Sequence, residues 1–333
     1  MDWLDILLWF REHTTPWLDT LMGVITNMGS EYFYLSALCL LYWCVDVAAT
    51  LRLFVLFLAS VYLNDAIKWI AAARRPFDLA GLAPASSLYA RTRELAEQIP
   101  QAIKDTAPGY SFPSAHAQDA VVFWGYLAIV VRRRWMYILA PLVALLVAFS
   151  RIYLGVHWPQ DVIAGMVIGL IILGYGYMLL RLLAGMPVRA RFPATLLFCL
   201  VPILLFVLFP SHAGGQTMGT LFGALLGYLL ERRYLRFAVR RPLWQQMLKV
   251  VIGLSGALLL MIGLSTFLKP LDVASSVRAA GEPAALPGGF LYTWGREIPT
   301  WIRYALVGLW CTLGAPALFR LLFGGEVHSA PAP

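Results

Sequence analysis

Stretches close to 20 residues long with almost no charge recur along the entire chain, and they restrict its fold more than any other feature. About 20 apolar residues in a helix cross a roughly 30 Å hydrocarbon core. In lipid, backbone N–H and C=O groups must pair within their own segment, so such stretches are predicted to be helices. A membrane barrel would instead alternate polar and apolar residues in runs of roughly 10, a pattern this sequence does not carry. The spacing predicts spans at about 31–46, 50–72, 114–131, 135–151, 159–182, 192–210, 216–231, 245–268 and 299–323. Composition agrees: 13% of the 333 residues are charged and 60% are hydrophobic, against roughly 25% charged in soluble domains. The expected fold class is all-α, a polytopic helical membrane protein.

The segments between spans are equally specific. Residues 2–13 read as a short amphipathic helix rich in Trp, Leu and Phe, lying in the membrane interface. Thr15-Pro16 predicts a second one, with proline in the first turn, ending near Gly29-Ser30. A polar loop covers about 76–112, with a surface helix near 87–104. The Gly/Pro/Ala-rich stretch at 271–290 reads as an extramembrane loop. Gly219, Gly223 and Gly227 recur every four residues, as do Gly165 and Gly169. Small residues at that spacing let helices approach closely, so the C-terminal set offers a route to a homo-oligomer. Cys39, Cys44, Cys199 and Cys311 all lie in apolar segments and read as small buried hydrophobes, not as disulfides or metal ligands. The acidic start, Met1-Asp2-Trp3-Leu4-Asp5, is not that of a secretory signal.

The formal net charge is +8. The arginines sit in short clusters between apolar spans, which argues for membrane topology and against nucleic acid as partner. Taking Arg132, Arg133 and Arg134 as cytoplasmic puts 14 of the 26 basic residues on that side, facing only Asp46, Glu231 and Glu326. The loop at 76–112, the turn near 151–158 and the N-terminus then face the periplasm or exterior.

Three patches are polar where a membrane makes polarity costly: Lys68 with Arg74-Arg75-Pro76, then Ser111-Phe112-Pro113-Ser114-Ala115-His116, then Ser150-Arg151 with His157 and Asp161. The predicted spans bring all three to the outer face. Lys68, Arg75 and Arg151 are cations with few acids nearby, and an arginine fork suits phosphate oxygens. Ser114 falls at a predicted helix N-terminus, where free N–H groups also favour an anion. Together these residues make a cradle for a tetrahedral oxyanion. Asp161, four residues after His157, can hold one imidazole nitrogen and leave the other free to attack. His116 is then the general acid that protonates the leaving oxygen. Phosphoryl transfer needs mainly positioning and charge stabilisation, and this set supplies both. Singly, each residue has a plainer reading, as a topology signal, a snorkelling anchor or a helix cap. The joint pattern favours chemistry. Asp119, three residues after His116, reads as a residue packed at a helix turn.

Lys68-x6-Arg75-Pro76, Pro113-Ser114-Ala115-His116 and Ser150-Arg151-x5-His157-x3-Asp161 resemble the three-part signature of the type 2 phosphatidic acid phosphatase superfamily. Ala115 stands where that family usually has glycine. The resemblance covers about residues 15–182. It implies His157 as the nucleophile that forms a phosphohistidine, Asp161 as its orienting group and His116 as the acid. It implies Lys68, Arg75, Ser114 and Arg151 as phosphate ligands, with Ala115 beside them, and neither a metal nor a cofactor. The expected organisation is a membrane phosphatase core over 1–184, followed over 185–333 by about four further transmembrane helices. The expected activity is removal of phosphate from a membrane lipid such as undecaprenyl diphosphate, phosphatidylglycerol phosphate or phosphatidate, at the periplasmic face of a bacterial plasma membrane. Two alternatives stay open: phosphotransfer from lipid to lipid at the same site, and a transporter or flippase built on a degenerate phosphatase half.

Overall fold

A computed structural model describes residues 2–79, 82–185, 188–208, 211–268 and 290–324. Among these residues there are helices and no strands. In chain order the helices are α1 (Trp3–Glu12), α2 (Pro16–Asn27), α3 (Glu31–Cys44), α4 (Val47–Ala71), α5 (Ser87–Gln98), α6 (Gln101–Lys104), α7 (Ala115–Val131) and α8 (Arg134–Tyr153). They continue with α9 (Pro159–Ala184), α10 (Val188–Phe198), α11 (Leu200–Leu208), α12 (His212–Leu230), α13 (Leu243–Phe267), α14 (Phe290–Leu309) and α15 (Ala315–Phe323). Two π-helical turns, Glu231–Leu235 and Trp310–Gly314, extend α12 and join α14 to α15. The loop expected at 271–290 lies outside the described residues, except for Phe290, which opens α14.

Among the described residues, five stretches are long and apolar enough to cross a membrane: Val47–Ala71, Arg134–Tyr153, Pro159–Leu179, Leu243–Phe267 and Glu297–Phe323. The nine spans read from the sequence are therefore too many by this measure. The segment at 31–46 forms a helix of 14 residues, only about 21 Å long at 1.5 Å per residue. The segment at 192–210 divides at Cys199 into α10 and α11, where Pro202 has no N–H to give the preceding turn.

The chain forms two compact units. The first comprises Met1–Leu35 and Ala59–Leu180, the second Ser36–Leu58 and Arg181–Pro333. The sequence expectation was a core over 1–184 followed by further helices over 185–333; the compact units group 36–58 with the C-terminal residues.

In the first unit, Asp2 caps α1: its carboxylate accepts from Leu4 N–H while Asp5 accepts from Asp2 N–H. The reciprocal bonds satisfy two donors that a helix start leaves free. Leu4, Leu7 and Leu8 are thereby turned into a core with Leu95, Ile99, Leu154 and Val156, each such burial contributing roughly 1.5–3 kcal/mol. The opposite faces of α1 and α2 expose Trp3, Trp9, Trp17, Leu21 and Val24, the amphipathic pattern expected of interfacial helices. Arg11 is buried because Asp19 on α2 accepts two of its hydrogen bonds, at 3.2 and 3.3 Å. Tyr153 on α8 donates to the same carboxylate at 3.0 Å. Glycines on α9 admit the start of α7: a Cβ at Gly165 would lie 2.5 Å from Ser114 O, and one at Gly169 2.7 Å from Gln118 O.

In the second unit, Gly219, Gly223 and Gly227 face the backbone of Trp301 and Ala305 and the side chain of Thr312, and Gly308 faces Thr220 in return. The stripe that offered a route to a homo-oligomer is thus covered by the chain's own α14. Pro316 cannot donate to the carbonyl four residues before it, Thr312 O. Tyr42 donates to Thr312 O at 3.4 Å and Trp43 donates to Cys311 O at 2.7 Å. Residues of α3 thus satisfy carbonyls that the proline and the π turn release. Cys39 and Cys311 are buried free thiols whose sulfurs stand 3.5 Å apart.

Candidate active site

The chemistry-bearing residues all fall in the first unit. Helix α4 carries Lys68 in its last turn and ends at Ala72, which adopts a left-handed φ of 44° and donates to Lys68 O at 2.9 Å. That conformation stops the helix and leads the chain to Arg75. The facing loop reverses at Gly109, with φ of 64°. Its carbonyls surround the Arg75 guanidinium: Nε donates to Gly109 O at 3.0 Å, and Nη2 to Pro108 O at 2.9 Å and Tyr110 O at 3.1 Å. Nη1 donates to Val156 O at 2.8 Å and meets His157 Nε2 at 3.1 Å. Burial pushes the Arg75 pKa down to about 10, with Asp161 acting in the opposite sense, so the guanidinium stays charged at neutral pH.

His157 is 1% exposed and lies in the turn that follows α8. Its Nδ1 is 3.4 Å from Asp161 Oδ2 and 3.4 Å from Ser111 Oγ. Asp161 Oδ2 also accepts from Ser111 Oγ at 2.5 Å and from Trp158 N–H at 3.0 Å. A carboxylate opposite Nδ1 and an arginine donor opposite Nε2 place the imidazole proton on Nδ1 and leave the Nε2 lone pair facing Arg75 Nη1. Burial holds the His157 pKa well below the ordinary histidine value, and Arg75, Arg151, Lys68 and His116 add to the shift. Arg75 of the first patch and Ser111 of the second thus both meet His157 of the third, at 3.1 and 3.4 Å.

Arg151 is fully buried. Its Nη1 donates to Thr26 Oγ1 at 2.7 Å and Thr106 Oγ1 at 3.1 Å, and its Nη2 to Thr106 O at 3.2 Å. Its Nε has no hydrogen-bond partner. Ser114, also fully buried, precedes α7; its N–H donates to Asp161 O at 3.0 Å, and its Oγ likewise has no partner. Leaving a buried donor unpaired costs about 1–3 kcal/mol, and two such donors beside a histidine suit an anionic ligand. His116 follows in the first turn of α7. A Cβ at Gly29 would lie 2.9 Å from its Cδ2, so the glycine lets α2 end against the imidazole. Lys68 is half-buried and in the electrostatic field of Arg75 and Arg151.

The structure therefore assembles Lys68, Arg75, Ser114, His116, Arg151, His157 and Asp161, with Ala115 opening α7. Sequence reasoning missed Ser111 as a second partner of Asp161, Thr26 and Thr106 as the supports of Arg151, and Gly29 as the neighbour of His116. Ser111 stood in the second motif without a role. Thr26 and Gly29 carried no signal, because they lie on an amphipathic helix and its exit with no chemistry of their own. Asp119 accepts from Ser60 Oγ at 2.7 Å and packs between α7 and α4, as expected.

The chain is similar to known proteins. Residues 49–184 match the model of the PAP2 superfamily, and residues 215–326 match that of the PAP2 superfamily phosphatase, transmembrane extension. An undecaprenyl-diphosphatase of Sulfolobus acidocaldarius is 32% identical over 46% of this chain and 66% of its own length. Lipid phosphate phosphatase delta of Arabidopsis thaliana is 30% identical over 47% of this chain and 37% of its own. Phosphatidylglycerophosphatase B of Bacillus subtilis is 28% identical over 47% of this chain and 72% of its own. The first two relatives are thus spanned over less than two thirds of their length. The two family matches succeed one another along the chain, the first holding Lys68, Arg75, Ser114, His116, Arg151, His157 and Asp161, and the chain belongs to the PAP2 superfamily.

Proposed function

We propose that this protein hydrolyses a phosphorylated membrane lipid through a phosphohistidine formed on His157. The observation that carries the reading is the state of His157: Nδ1 towards Asp161 at 3.4 Å, Nε2 towards Arg75 at 3.1 Å. His157 Nε2 attacks phosphorus, and the bond from phosphorus to the ester or anhydride oxygen breaks. His116 gives that oxygen its proton. Asp161 stabilises the positive charge on His157, while Arg75, Arg151, Lys68 and Ser114 take the charge that develops on the phosphoryl oxygens. Water, deprotonated by His116, then attacks the phosphohistidine, the P–N bond breaks, and inorganic phosphate leaves. All of these groups lie within residues 1–184, which we assign as the catalytic core, with 185–333 contributing further membrane helices.

Lipid as the substrate class is supported by the membrane-spanning helices of the chain and by the names of its relatives, which act on undecaprenyl diphosphate, phosphatidylglycerol phosphate or lipid phosphates. The placement of basic residues supports a site on the outer face of a plasma membrane. The test offers undecaprenyl diphosphate, phosphatidylglycerol phosphate and phosphatidate to purified protein and measures phosphate release with no acceptor lipid present. At least one is expected to turn over, with activity retained in EDTA, inhibited by vanadate and lost in His157→Ala. Release that needs a divalent ion, or that survives His157→Ala, overturns the mechanism.

A further inference from the structure

The first unit holds a buried polar cluster that the proposed chemistry does not use. Ser60, Asn64, Gln118 and Asp119 are each 3% exposed or less. Asn64 Nδ2 donates to Gln118 Oε1 at 3.0 Å and to Pro113 O at 3.4 Å. Gln118 Nε2 donates to Ser60 O at 2.8 Å and Ser60 Oγ at 2.9 Å. Ser60 Oγ passes the chain on to Asp119 Oδ1 at 2.7 Å. Every donor in the chain has an acceptor, as a polar network in an apolar setting must.

The placement is specific. Ser60, Asn64 and Lys68 recur every four residues on α4, one above the other on a single face. Pro113 O belongs to the peptide that leads into Ser114, and Gln118 lies one turn beyond; its N–H bonds Ser114 O at 3.1 Å. The network thus joins the face of α4 that presents Lys68 to the turn of α7 that presents Ser114 and His116. A shift of either helix along the other would break several bonds at once. We propose that Asn64 and Gln118, held by Ser60, are positioning residues that fix Lys68 in register with Ser114 and His116, and so set the grip of the site on a phosphoryl group. The inference rests on the phosphatase reading above.

The test is a double-mutant cycle of Asn64→Ala and Lys68→Ala in the full-length protein, read as vanadate affinity and as separate kcat and KM for a lipid phosphate. Asn64→Ala is expected to weaken vanadate binding and raise KM about tenfold or more, the worth of roughly one well-placed charged contact. The double variant should be no worse than Lys68→Ala alone, because Asn64 acts through Lys68. An effect exerted independently of Lys68 would make the two losses add. Additive losses, or unchanged vanadate affinity in folded Asn64→Ala protein, overturn the proposal. Should Asn64→Ala not fold, Gln118→Met replaces it in the same cycle with the same criteria. Wild-type protein that neither binds vanadate nor releases phosphate overturns the functional reading itself, and this inference with it.

Discussion

At the scale of single residues, the environment of His157 sets the pH range in which it can act. Burial and the nearby cations oppose its imidazolium, so its pKa lies well below 6.5 in the folded protein. In the proposed mechanism the nucleophilic form is the neutral one, and it persists as pH falls past 6.5. The acid limb of kcat/KM, which reports free enzyme, should therefore lie below pH 6.5; a limb at or above that value would contradict the buried, cation-flanked geometry. The linkage has the matching sign: below 6.5 the unfolded chain takes up the proton first, so this group lowers stability as pH falls. Gly29 makes a second prediction. A methyl there would press on His116 Cδ2 and on Val147 Cγ1, 2.6 Å away. Gly29→Ala is expected to lower kcat by up to about 10², as small misplacements of a catalytic group do, with a lesser change in KM; equal kcat would show that His116 is not held there. That His157, Asp161, His116, Lys68, Arg75, Ser114 and Arg151 belong together was legible because phosphoryl-transfer chemistry calls for such side chains and their spacing groups them. Thr26 and Gly29 were not: Thr26 reaches Arg151 across 125 residues of sequence, and a glycine shows its purpose only when its neighbour is known.

At the scale of elements, hydropathy located the long apolar helices among the described residues but not every length or break: 192–210 holds two helices, and the surface segment at 87–104 likewise divides in two. The amphipathic starts of α1 and α2 could be read because Thr15-Pro16 and the Trp-rich faces are local signals. The 14 residues of α3 were overestimated, because apolar composition continues through the turn into α4. The glycine stripe of α12 was legible as a place of close approach, whereas its occupant was not: repeat spacing does not say whether the neighbour comes from the same chain. Because α14 fills that stripe, Gly223→Ala is expected to force a methyl into the Ala305 carbonyl. Overpacking of this kind costs about 1–3 kcal/mol. It should appear as a lower melting temperature in detergent. An unchanged melting temperature would mean that α12 and α14 do not meet at Gly223.

For the whole molecule, the grouping of Ser36–Leu58 with Arg181–Pro333 decides what a shortened chain can do. The groups we propose as catalytic lie in residues 1–184, which suggests cutting there. Yet that cut would strip the middle of the retained chain of its partners. Trp43 is fully buried; it donates to Cys311 O, and its own carbonyl accepts from Lys249 Nζ at 3.2 Å. Tyr42 donates to Thr312 O. Without 185–333, the donors of Tyr42 and Trp43 face lipid or apolar side chains, and leaving two buried donors unpaired costs on the order of 2–6 kcal/mol in total. Native proteins hold only about 5–15 kcal/mol in reserve. A chain of residues 1–184 is therefore expected to accumulate poorly and to release little phosphate. Co-expression with 185–333 as a separate chain should restore both properties, because the missing acceptors are supplied without a peptide bond. A 1–184 chain that purifies with wild-type thermal stability and full activity would show that 36–58 does not depend on the C-terminal helices for its packing.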